Sequence, residues 1–202
     1  MAAKEHANIV FIGHVDAGKS TTVGRLLYET GAISEQALNK LKEEAAKVGK
    51  ATFEFAFVMD ELKEERERGV TIDISHREFE SAKYHYTIID APGHKDFVKN
   101  MITGASQADA ACLVISVKDG IQPQTKEHAF LAKVLGINQL IVNMSKMDAI
   151  GYNQAKYNEL KTEVEKLLRG MGYKTENVQW VAATSYVGDN ITNKSANMPW
   201  YT

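Results

Sequence analysis

The chain has 202 residues, a formal net charge of −2 and one cysteine. That length supports one sizeable domain, the near-neutral balance excludes a general basic field for nucleic acid, and a lone cysteine excludes an internal disulfide. No apolar run nears the roughly 20 residues needed to span a bilayer, and MAAKEHANIV lacks the apolar core of a signal peptide, so a cytoplasmic protein with no membrane partner is expected.

NIVFIG (8–13) predicts a buried strand, and 19–29 a helix with Val23, Leu26 and Leu27 on one face. A second helix is expected over 34–48, with Ser34 as its N-cap. FEFAFVMD (53–60) carries three phenylalanines and reads as packing; eight charged side chains between Asp60 and Arg68 read as a solvated helix. Residues 71–80 alternate in part, like a strand with one wet face, and 84–90 read as the next strand. The short link between them predicts an antiparallel edge pair. Helical spacing returns over 95–104. ACLVISV (111–117) reads as a strand buried on both faces, with Cys112 as a small hydrophobe. A helix over 124–135, a strand over 140–144 and a strong helix over 154–169 follow, the last with Tyr157, Leu160, Val164, Leu167 and Leu168 in one stripe. The final strand is expected at 178–183, and Pro92, Pro123 and Pro199 are assigned to loops. This order predicts an α/β fold: a mostly parallel six-stranded sheet with one antiparallel edge strand and helices on both faces. A helix would ordinarily cover the last strand, so the chain is expected to stop short of the domain's end.

The chemistry gathers where strands end. GHVDAGKST (Gly13, His14, Val15, Asp16, Ala17, Gly18, Lys19, Ser20, Thr21) lies between the first strand and the first helix and fits G-x-x-x-x-G-K-[ST]. Glycine lets backbone approach a phosphate, the helix N-terminus presents positive dipole ends, Lys19 adds charge at the β- and γ-phosphates, and the Ser20 hydroxyl is a ligand for Mg²⁺. At the next strand end, in DAPGHKD, Asp90 can hold the same Mg²⁺ through water, Gly93 can offer its amide to the γ-phosphate, and His94 falls beside the attacking water. Taken alone, Asp90 is a helix N-cap and His94 a surface histidine; the phosphate loop is what gives them work. The third strand end is IVNMSKMDAI (141–150). The Asp148 carboxylate can accept from N1–H and the 2-amino group of guanine, which adenine cannot supply, and the Lys146 stem can lie over the base. A fourth, ATSYVGDN (183–190), places Thr184, Ser185 and Tyr186 beside the base, with the Ser185 N–H directed to the guanine 6-oxo group.

GHVDAGKST, RERGVTID, DAPGHKDFVKNMITGASQADAA, SKMD and GDN together resemble the translational GTPases. The likeness is greatest to the nucleotide-binding domain of archaeal-type elongation factor 1-alpha, related to elongation factor Tu, and it covers nearly the whole chain. The resemblance implies a P-loop NTPase fold of the Ras-like GTPase type. It further implies that Thr71 ligates Mg²⁺ when GTP is bound, that Val15 and Val70 flank a catalytic histidine at His94, and that Asp16 helps to hold a monovalent cation. Residues 1–202 would then be a GTP-binding domain, truncated before its last helix and without the family's two C-terminal β-barrels. The implied activity is hydrolysis of GTP to GDP and phosphate, slow without the ribosome. The implied partners of the full-length protein are aminoacyl-tRNA, the ribosome and a nucleotide exchange factor, with the isolated domain a monomer.

Ser145 departs from the family's Asn-Lys-x-Asp. The asparagine braces the phosphate loop, and a shorter hydroxyl with fewer bonds predicts a looser loop or weaker affinity. Asn143, two strand residues upstream, is not expected to replace it. Thr184-Ser185, where relatives carry Ser-Ala or Ser-Gly, is expected to matter little, because the contact there is from backbone. The competing readings are a release-factor, ribosome-rescue or sulfate-activation GTPase, a nucleotide-binding module with little turnover, and a phosphate-loop ATPase.

Overall fold

Among the described residues six short strands, all but the edge strand β2 largely apolar, pair in the order β2-β3-β1-β4-β5-β6. The structure is a computed structural model that describes residues 4–47, 49, 54–59, 75–91 and 98–201. The strands are β1 (Glu5–Ile12), β2 (Ser75–Glu80), β3 (Tyr84–Asp90), β4 (Ala110–Ser116), β5 (Gln139–Ser145) and β6 (Gln179–Ala182). β2 runs antiparallel to β3, and every other pairing is parallel. The expected sheet and its antiparallel edge are therefore present. The expected 53–60 and 71–80 segments fall partly, and the Asp60–Arg68 run wholly, outside the described residues.

Alternation explains why the central strands are apolar at nearly every position. Val10, Ile12, Ile89, Leu113, Ile115, Val142 and Met144 belong to one core. Phe11, Ile88, Cys112 and Val114, their immediate neighbours in sequence, belong to a second core on the other side. Successive strand side chains point to opposite faces, so a sheet covered on both needs apolar residues at both parities. The first core is closed by Ala129 and Ala132 of α4 (Pro123–Val134) and by Tyr157, Leu160, Val164 and Leu168 of α5 (Gln154–Gly170). The second is closed by Val23 and Leu27 of α1 (Lys19–Glu29), Leu38 of α2 (Glu35–Lys47), and Phe55, Val58 and Met59. α3 (Val98–Ala105) precedes β4.

The caps match the side-chain chemistry at each helix start. Ser34 Oγ accepts from the Ala37 N–H at 3.2 Å, the expected N-cap of α2. Asn153 accepts from Lys156 N–H at α5. Pro123 was expected in a loop, but it opens α4, behind a Gln122–Thr125 capping box. A proline at the first helical turn has no N–H to waste and a suitable φ, so the boundary shifts by one residue. β1 begins at Glu5, three residues before the apolar run, because its polar start pairs with Tyr84 and His85 at the sheet's wetter end.

Candidate functional site

The carboxyl ends of β1, β3, β5 and β6 converge on one rim. Gly13 leaves β1 at φ +138°, and a Cβ there would lie 2.3 Å from the Val114 carbonyl oxygen of β4. Only glycine lets the chain turn so close to its neighbour. The Gly13 N–H donates to Nδ1 of buried His128 on α4 at 3.1 Å. His14 Nδ1 pairs with Gln124 on the same helix. Asp16 at φ +60° and Gly18 at φ +96° complete the loop into α1. Such positive-φ residues among ordinary ones gather backbone N–H groups into a concave anion site.

Lys19 is buried and folds back, donating to the carbonyls of Gly13 at 3.1 Å and His14 at 3.0 Å. Burial lowers its pKa, opposed by the negative charges of Asp90 and Asp16. Ser20 Oγ donates to Asp90 Oδ2 at 2.8 Å, so the two described residues expected at Mg²⁺ are in contact. Hydroxyl and carboxylate oxygen are the donors a hard divalent cation takes.

The base side is a cleft of about 590 Å³ lined by Asp16, Gly18, Thr21, Ser145, Lys146, Asp148, Thr184, Ser185 and Tyr186. That volume lies within the usual range for small-molecule sites, and the cleft runs from the phosphate loop to Asp148. Lys146 turns the chain out of β5 in the left-handed region, φ +59°, and a short 3₁₀ turn over Met147–Ile150 carries Asp148. The Met147 N–H donates to the Ala183 carbonyl, and the Asp148 N–H to Thr184 Oγ1, both at 3.3 Å. From α1, Arg25 donates to the carbonyls of Tyr186 at 3.0 Å and Val187 at 3.2 Å, and pairs with Glu29. The loop after β6 is thereby fastened to the helix that carries Lys19.

Ser145 Oγ, the shorter side chain, donates to the Ala17 carbonyl at 2.5 Å, with the Ile115 carbonyl at 3.3 Å. The tie to the phosphate loop that was expected to loosen is made. Asn143 does not take over that tie, and its side chain and that of Ser185 meet at Thr22 on α1. Asn143 is buried on the same strand face, and its Nδ2 lies 3.4 Å from Thr22 Oγ1. The Ser185 hydroxyl lies 2.7 Å from the same oxygen, so it is structurally engaged. Thr22, Arg25, Gln124 and His128 escaped the sequence reading. Thr22 reads as a helix filler, while Gln124 and His128 stand four apart on one helix face, a spacing that could have flagged them. Val70, Thr71, Gly93 and His94 lie outside the described residues.

The family model for the elongation factor Tu GTP-binding domain matches residues 4–197. Elongation factor 1-alpha of Archaeoglobus fulgidus is 60% identical over 198 residues, covering 98% of this chain and 47% of that protein. Elongation factor 1-alpha of Methanocella arvoryzae is 58% identical over 201 residues, covering 100% of this chain and 47% of its own length. A solved structure of Sup35 complexed with GDP is 31% identical with a TM-score of 0.71, covering 100% of this chain and 43% of that one. The chain spans about half the length of the curated relatives it matches.

Proposed function

The chain belongs to the elongation factor Tu GTP-binding domain family, and from that premise we propose that it is the guanine-nucleotide switch of a longer elongation factor that brings aminoacyl-tRNA to the ribosome. The observation that carries the nucleotide reading is one continuous rim, on which the Lys19–Asp90 cluster and the Ser145–Asp148 cleft meet across the phosphate loop; the elongation role is supported by the 60% identity to an elongation factor 1-alpha. Gly13 to Thr21 cradle the phosphates, Lys19 neutralises them, and Asp148, Lys146 and the Thr184–Tyr186 loop select and hold guanine. Mg²⁺, when held by Ser20, Thr71 and Asp90 through water, supplies positive charge at the β- and γ-phosphate oxygens. His94 orients the water that attacks the γ-phosphate, between Val15 and Val70. Thr71 and Gly93 sense that phosphate, and its loss releases their segments. Asp16 contributes to a monovalent-cation site. The two β-barrel domains and the exchange factor belong to the longer protein.

The test is displacement of fluorescent GDP. GDP and GTP should compete and ATP should not. Asp148→Asn should weaken GDP at least about a hundredfold and admit xanthosine diphosphate, whose 2-oxo group accepts from an amide as guanine's 2-amino group donates to a carboxylate. Equal competition by ATP would overturn the reading. GTP turnover that does not rise with ribosomes, in the full-length protein, would remove the elongation role.

A further inference from the structure

Thr22 Oγ1 sits at the meeting of three segments. It is 2.7 Å from the Gly18 carbonyl, 2.7 Å from Ser185 Oγ and 3.4 Å from Asn143 Nδ2. The donors can be assigned. The Gly18 carbonyl can only accept, so the single hydroxyl proton of Thr22 goes there. Ser185 must then donate to Thr22, and the Asn143 amide donates to the remaining lone pair. All three side chains are buried. A helical threonine often returns its hydroxyl to the carbonyl four residues back. Here that carbonyl belongs to the phosphate loop, and the oxygen's acceptor capacity is taken up by the loop beyond β6 and by β5.

Ser145 makes a parallel tie, from β5 to the Ala17 carbonyl. Among the described residues its hydrogen bonds go to the Ala17 and Ile115 carbonyls and none goes to the 184–186 loop. That loop reaches the phosphate loop through Ser185 and Thr22. A Cβ on Gly18 would lie only 3.8 Å from Ser145 Oγ, so the two ties grip adjacent residues, Ala17 and Gly18.

We infer that Thr22, Ser185 and Asn143 are positioning residues for the nucleotide, joining the loop that faces guanine to the loop that faces the phosphates so that the two hold their ligand as one unit. This rests on the nucleotide reading above and deepens it. No atom of the three need touch the reacting phosphate. Their action is on how long the assembled site stays closed on its ligand.

The experiment measures affinity and dissociation rate of fluorescent GDP for the 202-residue chain and for Thr22→Val, Thr22→Ser, Ser185→Ala and the Thr22→Val/Ser185→Ala double variant. Thermal midpoints of the nucleotide-free proteins are recorded beside them. Thr22→Val keeps the packing and loses the hydroxyl; Thr22→Ser does the reverse. Ser185→Ala should release GDP about three- to tenfold faster, the cost of one neutral hydrogen bond, and Thr22→Val, which removes that bond and the two beside it, at least as fast. The double variant should be no worse than the poorer single one, because both cut the same bond. Thr22→Ser should hold GDP as the wild type does while melting lower. If affinity instead follows the thermal midpoints, or the double effect is the product of the singles, the inference fails. Wild-type binding matched by every variant sinks this inference alone, whereas a wild-type chain that binds no GDP sinks the nucleotide reading with it.

Discussion

Two residues behind the phosphate loop govern how it responds to change. His128 is fully buried, and its pKa is pushed down from 6.5 to about 4, first by burial and then by the charges of Lys19 and His14. Its Nδ1 must stay unprotonated to accept from Gly13. Between these two pH values the unfolded chain binds a proton that the folded chain refuses. Stability is therefore whole above about pH 6.5 and is lost as pH falls toward about 4, by roughly 3 kcal/mol in all. His128→Asn retains an acceptor without the titration, and urea midpoints measured across that window should lose most of their slope. Ser145→Ala leaves the Ala17 carbonyl without its 2.5 Å partner. Stability should fall by about 1–2 kcal/mol, read as a drop of several degrees in thermal midpoint. The phosphate loop was legible from its spacing, and Asp90 and Asp148 because each follows an apolar run in a chain that already carries that loop. Thr22 was not, since a buried threonine leaves no pattern until its partner, 163 residues away, is known; His128 offered only its i, i+4 spacing from Gln124, and its partner Gly13 lies 115 residues away.

At the scale of elements, α1 is held against the Phe55 segment by a missing side chain. A Cβ on Gly24 would lie 1.9 Å from the Phe55 carbonyl oxygen, a backbone atom that cannot swing away. Gly24→Ala gains helix propensity of about 1 kcal/mol but forces the two elements apart, for a net loss of about 1–2 kcal/mol. On α5 the same change at Gly170 meets no atom within 4 Å and should stabilise by roughly 0.5–1 kcal/mol. Denaturant unfolding of the two variants should thus move in opposite directions. Element identity was readable because short, almost wholly apolar runs mark the central strands and the 3.6 period is unmistakable in α5. Boundaries drifted where chemistry at the ends overruled hydrophobicity: Pro123 starts a helix, and the polar residues before Asn8 still pair in β1.

For the molecule as a whole, the ligand should act as a fastener. Four segments far apart in sequence meet at the rim, so a nucleotide bound there stabilises the folded chain only. GDP at a hundred times its dissociation constant should add about 2.7 kcal/mol, raising the thermal midpoint by roughly 5–10 °C, and ATP at the same concentration should not. A matching shift with ATP would contradict guanine selection. The fold class was legible because strand and helix alternate from β3 to β6. The spatial order of the strands was not, because neighbouring segments in sequence need not be neighbours in a parallel sheet.

That order has a consequence during synthesis. β1 pairs with no strand near it in the chain: its partners are β3, beginning at Tyr84, and β4, beginning at Ala110. At ordinary elongation speeds the apolar Val10-Phe11-Ile12 edge emerges on the order of ten seconds before either partner exists. The first strand made waits longest of the central three for company, and a nascent chain of this protein has a window in which chaperones, or other nascent chains, compete for it.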